Sequence, residues 1–204
     1  MGNIDATHHH IMYLLKKSGM QKLFILFALM GLLSSCSKDD SDMENPAFVP
    51  GEVIVGIKSG TDIHALFNFI NEVGLEVDNI HALTFTSLLP PGDLQFVLDI
   101  LNEKNYTNDG INWFVNGYVH RQTNQIWIFP RLFDMHTLAY QQDWLTAMDD
   151  LKLQEEHIMD LNSGSILFKV PKGQEIKWEN KFETHAIVDW AELNYIADIE
   201  LHNN

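Results

Sequence analysis

The chain has 204 residues, with 28 Asp and Glu against 13 Lys and Arg, for a formal net charge of −15. So acidic a surface disfavours nucleic acid, whose phosphates are held by Lys and Arg, and it repels an anionic membrane surface. A single cysteine, Cys36, excludes an internal disulfide. In chain order, Met12 and Met20 both offer starts for the segment that follows, and His8, His9 and His10 fall ahead of it. Lys22, an apolar run from Leu23 to Leu33 and then small residues read as a secretory signal, so residues 1–35 are expected to be an N-terminal extension and signal peptide, cut between Ser35 and Cys36. The run is too short to span a bilayer, which takes roughly 20 apolar residues. Residues 36–48 read as a flexible tether, because Ser37 to Pro46 has no apolar face to bury.

The remaining pattern predicts an α+β protein. Glu52 to Lys58 is rich in strand formers. Ser59 and Asp62 sit at capping spacing before Ile63, Leu66, Phe67, Ile70 and Val73, one face of a helix that Gly74 ends. Leu75–Val77 and Ala82–Leu89 read as strands. Pro90-Pro91-Gly92 then opens a helix with Leu94, Val97, Leu98 and Leu101 on one side, and Ile111 to Val119 closes the set as a strand. The same order follows again. Gln125–Phe129 is a strand, and Asp134 to Asp149 a helix with Leu138, Leu145 and Met148 on its apolar side. Leu151–Leu153 and Ser165–Val170 are strands, Gln174 to Thr184 a helix, and Ile187–Ile196 the last strand. The expectation is two tandem ferredoxin-like β-α-β-β-α-β units, antiparallel sheets with helices on one face, over 49–122 and 123–200, with 201–204 as a tail. The helix near Gln174 is the least regular, since Glu175/Glu179, Lys177/Lys181 and Glu179/Glu183 set like charges four residues apart.

Catalytic and metal chemistry leave no pattern. The histidines after Cys36 are scattered, with no His-x-x-x-His or His-Glu-x-x-His spacing to aim two imidazoles at one ion. The cluster Glu155-Glu156-His157 with Asp160 reads as a solvated strand end or loop. No Gly-x-Ser-x-Gly and no phosphate-cradling loop occurs. The expectation is a chain that is not an enzyme and holds neither metal nor cofactor. Aromatic residues are the remaining positive signal: Trp113, Phe114, Tyr118, Trp127, Phe129, Phe133, Tyr140 and Trp144 gather near the junction of the two predicted units. They suit core packing, and the alternation in INWFVNGYVHR leaves one face for binding.

Four stretches resemble known families. Leu33-Ser34-Ser35-Cys36 resembles the lipobox of bacterial lipoproteins, which implies a lipidated Cys36 and contact with the membrane through the lipid. Lys38-Asp39-Asp40, just after it, resembles the surface-export signal of Bacteroidota lipoproteins. That implies an outer-membrane lipoprotein facing the cell surface, with the periplasmic side as the alternative. VPGEVIVGIKSG (49–60) and VDWAELNYI (188–196) resemble the opening and closing of subtilisin-family propeptides, with Trp190 and Leu193 where Tyr and Pro are usual. This resemblance implies a β-α-β-β-α-β fold and a protease partner met through the last strand, at Trp190, Glu192, Asn194 and Tyr195. The two stretches fall in different predicted units, so a plain single propeptide is not expected. The function expected is a non-catalytic cell-envelope binding module. Its partner is a protein, in propeptide-like fashion a protease, and the alternative is a glycan bound through Trp113, Tyr118 and Trp127.

Overall fold

A computed structural model describes residues 47–157 and 164–196. Ser35, Cys36, Lys38, Asp39, Asp40, Asp160 and the 201–204 tail lie outside the described residues. The elements are β1 (Phe48–Ile57), α1 (Ile63–Val73), β2 (Glu76–His81), β3 (Phe85–Ser87), α2 (Leu94–Asn102), β4 (Asn116–Val119) and β5 (Ile126–Phe129). They continue with β6 (Leu132–Phe133), α3 (Leu138–Asp150), β7 (Leu153–Glu155), β8 (Ser165–Lys169), α4 (Glu175–Glu183) and β9 (Val188–Tyr195). The class is α+β, with two antiparallel sheets ordered β6-β2-β8-β1-β9 and β4-β5-β3-β7.

Tandem units divided at residue 122 do not form. Strand β8, from the second half of the chain, lies between β1 and β2 from the first, and β9 pairs with β1. Residues 82–164 therefore separate two strands that are neighbours in space, and within that stretch lie all four strands of the smaller sheet. The physical reason is burial. Val53, Val55 and Ile57 on β1, Ile166 and Phe168 on β8, and Ala191 and Leu193 on β9 all lose their exposure together. The two propeptide-like stretches are thus hydrogen-bonded neighbours, which corrects the expectation that they belong to different units.

Local signals explain the helices of the five-stranded sheet. Asp62 caps α1 by accepting from the Ala65 N–H at 2.8 Å, and Gly74 ends it in the left-handed conformation at φ 66°. Ile63, Leu66, Phe67, Phe69 and Ile70 are buried. Helix α4 forms despite its like-charge pairs, which cost roughly 0.2–0.5 kcal/mol each. Burying Phe182 contributes about 2–3 kcal/mol, and its ring stacks on Phe168 at 4.8 Å and touches Trp178 at 5.6 Å.

The carboxylate of Glu175 pins the start of α4 to β1. It accepts from the Gly173 N–H at 3.0 Å and the Gly51 N–H at 2.7 Å, and backbone N–H groups (its own first, then that of Gly173) hold its pKa below the usual carboxylate range. A depressed folded pKa stabilises fully above the unfolded pKa, and that contribution is lost as pH falls through the folded one. Glu175→Gln is therefore expected to flatten the acid limb of a plot of unfolding free energy against pH, measured with urea. An acid limb identical to the parent's would remove this role.

The four-stranded sheet buries Phe85, Ile126, Ile128 and Leu153 against α2 and α3. The fully buried residues of α3 are Gln141, Trp144 and Ala147; the predicted Leu145 and Met148 are partly buried and pack against the same core, while Leu138 is exposed. A polar residue occupies this core position because its amide is satisfied, by Asn71 at 2.8 and 3.0 Å and by the Met135 carbonyl at 2.7 Å. Of the predicted strand Ile111–Val119, only Asn116–Val119 pairs. The Asp109 carboxylate gathers the N–H groups of Ile111, Asn112 and Trp113 at 2.8–3.0 Å, and a turn replaces the strand start.

Candidate functional site

Strand alternation decides what the five-stranded sheet shows on its other face. With Val53, Val55 and Ile57 turned inward, Glu52, Ile54 and Gly56 face outward, and the register sets Glu192 opposite Ile54 and Trp190 opposite Gly56. A Cβ on Gly56 would lie 2.1 Å from Cε2 of Trp190, so the indole rests directly on the glycine backbone. Only a residue without a side chain permits that approach.

Farther along β1, four residues from Gly56, lies a polar cluster. Lys169 Nζ meets Glu52 Oε1 at 2.6 Å and Asp78 Oδ1 at 3.0 Å, while Asn194 Nδ2 donates to Glu52 Oε2 at 2.5 Å. Burial works against the Lys169 charge, but the contacts to Glu52 and Asp78 outweigh it and raise its pKa. The ammonium is held charged, and the cluster fixes the side chains of Glu52, Asp78 and Asn194 about it. Strand β9 is at the edge of the sheet, with β1 its neighbour among the described strands. Tyr195, 47% exposed, and Ile196 carry an apolar surface to its end. All four predicted residues of the last strand, Trp190, Glu192, Asn194 and Tyr195, are therefore on one edge strand.

The predicted aromatic set divides. Tyr118 and Trp127 are directly opposed on β4 and β5, with their rings stacked at 6.4 Å. Phe129 stacks on Tyr118 at 5.7 Å and His120 on Trp127 at 5.1 Å, so four rings share the outer face of the small sheet. Trp113 is not among them. It is half-buried before β4, with the Arg131 guanidinium 4.5 Å over its ring. Trp144 belongs to the core. A groove of about 460 Å³ runs beside the rings, lined by Tyr118, Val119, His120, Arg121 and Gln122. His120 escaped the sequence reading, although it lies two residues from Tyr118; Phe129 was among the aromatic residues expected near the junction but not among those assigned to binding.

The acid cluster has structural employment. Glu155 accepts from the Ile63 N–H at 2.6 Å at the start of α1, and burial raises its pKa. Glu156 accepts from the Thr86 hydroxyl at 3.0 Å. Among the described residues no group of three or more His, Cys, Asp or Glu is placed to hold a metal ion. Ser165 Oγ lies 3.0 Å from His81 Nε2, and burial, followed by the Arg131 charge, lowers the His81 pKa. The two residues are a cross-strand pair in register, with Ser165 only 6% exposed. No helix among the described residues is long and apolar enough to cross a membrane. The chain matches no protein-family model, no curated protein and no solved structure.

Proposed function

We propose that this chain is a non-catalytic binding module, tethered at the outer membrane by lipid on Cys36, that engages a protease in propeptide-like fashion. One observation carries the reading. The two propeptide-like stretches become the adjacent strands β1 and β9 of the sheet ordered β6-β2-β8-β1-β9, in which β6 comes from the inserted stretch and α1 and α4 connect the four strands β2-β8-β1-β9. That is the order of a single ferredoxin-like β-α-β-β-α-β unit, here with residues 82–164 inserted between its second and third strands. The partner meets the outer face at Trp190, Glu192 and Asn194, and pairs an extended segment with the β9 edge toward Tyr195. Main-chain hydrogen bonds supply affinity in such strand addition, and side-chain pockets supply selectivity.

The test is a titration of a subtilisin-like protease with excess full-length protein, following peptide hydrolysis. The rate is expected to fall to a plateau, and Trp190→Ala and Tyr195→Ala to weaken the effect about tenfold. An undiminished rate with no complex by size-exclusion chromatography would sink the protease reading. A complex without rate loss would leave binding and remove inhibition. Protease shaving of intact cells decides the side of the membrane: surface exposure at Lys38-Asp39-Asp40 predicts loss of the protein, and full protection predicts the periplasmic side.

A further inference from the structure

The rings on the outer face of the four-stranded sheet are not needed by the core. Ile126 and Ile128 point inward from β5 and are fully buried, while Trp127 and Phe129 alternate outward. Tyr118 keeps 46% of its surface exposed. Apolar ring area left in contact with water on a polar border marks an interaction site.

Charge narrows the occupant. The chain carries a net charge of −15, yet no Asp or Glu occurs between Asp109 and Asp134, the stretch that supplies β4, β5 and their hairpin. These strands offer a polycation no carboxylate of their own, and Glu156, beside Trp127's cross-strand neighbour Thr86, is already engaged by the Thr86 hydroxyl, while the net negative charge of the chain repels a polyanion. The occupant is therefore uncharged. It must also cover aromatic rings and satisfy the groove's donors, Arg121 and Gln122, at once. A pyranose does both, with C–H bonds on its ring faces and hydroxyls around its rim. A peptide added at β4 would find an edge of only four residues, and such short edges are poor templates for strand pairing.

We propose that this face is a binding subsite for a neutral oligosaccharide, seated over Tyr118 and Trp127 with its hydroxyls toward Arg121 and Gln122. The subsite is independent of the β9 edge and does not require the protease reading. The full-length protein is applied to an array of neutral and charged oligosaccharides, and its best neutral hexasaccharide is titrated by calorimetry and tryptophan emission. Saturable binding is expected, weakened about tenfold or more in Tyr118→Ala and in Arg121→Ala. Phe96→Ala, an exposed ring on α2, should leave binding unchanged. Tyr118→Ala removes an exposed ring, so its circular dichroism is expected to match the parent's and its binding loss to be local. No neutral sugar retained on the array would overturn the proposal. So would binding indifferent to Tyr118→Ala and Arg121→Ala, or tighter binding of polyanions or of a neutral peptide.

Discussion

Replacing Trp144 with alanine is expected to lower the unfolding free energy by about 3–5 kcal/mol. The ring is fully buried on α3 and meets Phe85 of β3 edge-on at 5.4 Å, so its loss leaves a cavity under the small sheet. The consequence should extend beyond that sheet. Buried residues of both sheets form one cluster, and Glu155 and Gln141 tie the inserted stretch to α1. Urea unfolding followed by tryptophan emission and far-UV circular dichroism should show one transition, moved to lower urea with its slope unchanged. Two transitions, with the five-stranded sheet untouched in the variant, would mean that the inserted stretch folds by itself.

A comparable loss of about 3–5 kcal/mol is expected for Phe168→Ala in β8, the central strand of the larger sheet. Phe168 stacks on Phe182 at 4.8 Å and meets Phe69 edge-on at 5.8 Å, so one ring links α1, α4 and the strand between β1 and β2. Aromatic pairs of this kind add about 0.5–1.5 kcal/mol beyond the area they bury. The double variant with Phe182→Ala should therefore lose less than the sum of the single losses. Strict additivity would deny the coupling between the helix and the strand, and a loss below about 1 kcal/mol would deny Phe168 its place in the core.

Much of the local structure was legible before any coordinates. Asp62 and Gly74 bound α1 as their side-chain chemistry predicts, and VDWAELNY is a strand in both readings. The helix with like-charge pairs formed where it was expected, because burial of Phe182 outweighs surface repulsion. Two misses share a cause. Ile111 to Phe114 has strand-forming side chains, yet the Asp109 carboxylate offers its N–H groups a closer acceptor. Leu138 keeps α3's apolar period, yet Gln141 takes the core because Asn71 stands ready to meet its amide. In each case a partner outside the local pattern won.

The candidate sites divide in the same way. Trp190, Glu192, Asn194 and Tyr195 were placed on one strand by alternation and resemblance, but Gly56, Glu52 and Lys169 were not. Their importance depends on which strands lie side by side. Tyr118 and Trp127 drew notice as aromatic residues, while Trp113 proved to belong to an Arg131 contact rather than to the same face.

By itself the amino-acid sequence determined the acidic charge, the lone Cys36 after an apolar run, and the type of most helices and strands. These follow from composition and from periodicities only a few residues long. The tertiary structure alone decided that β8 enters between β1 and β2, so that an apparent repeat became one larger sheet with a long insertion. Strand pairing joins residues more than a hundred positions apart, and burial of Val53, Phe168 and Leu193 in one layer selects that pairing. A period of two in each strand states which face is apolar, but not which strand lies beside it.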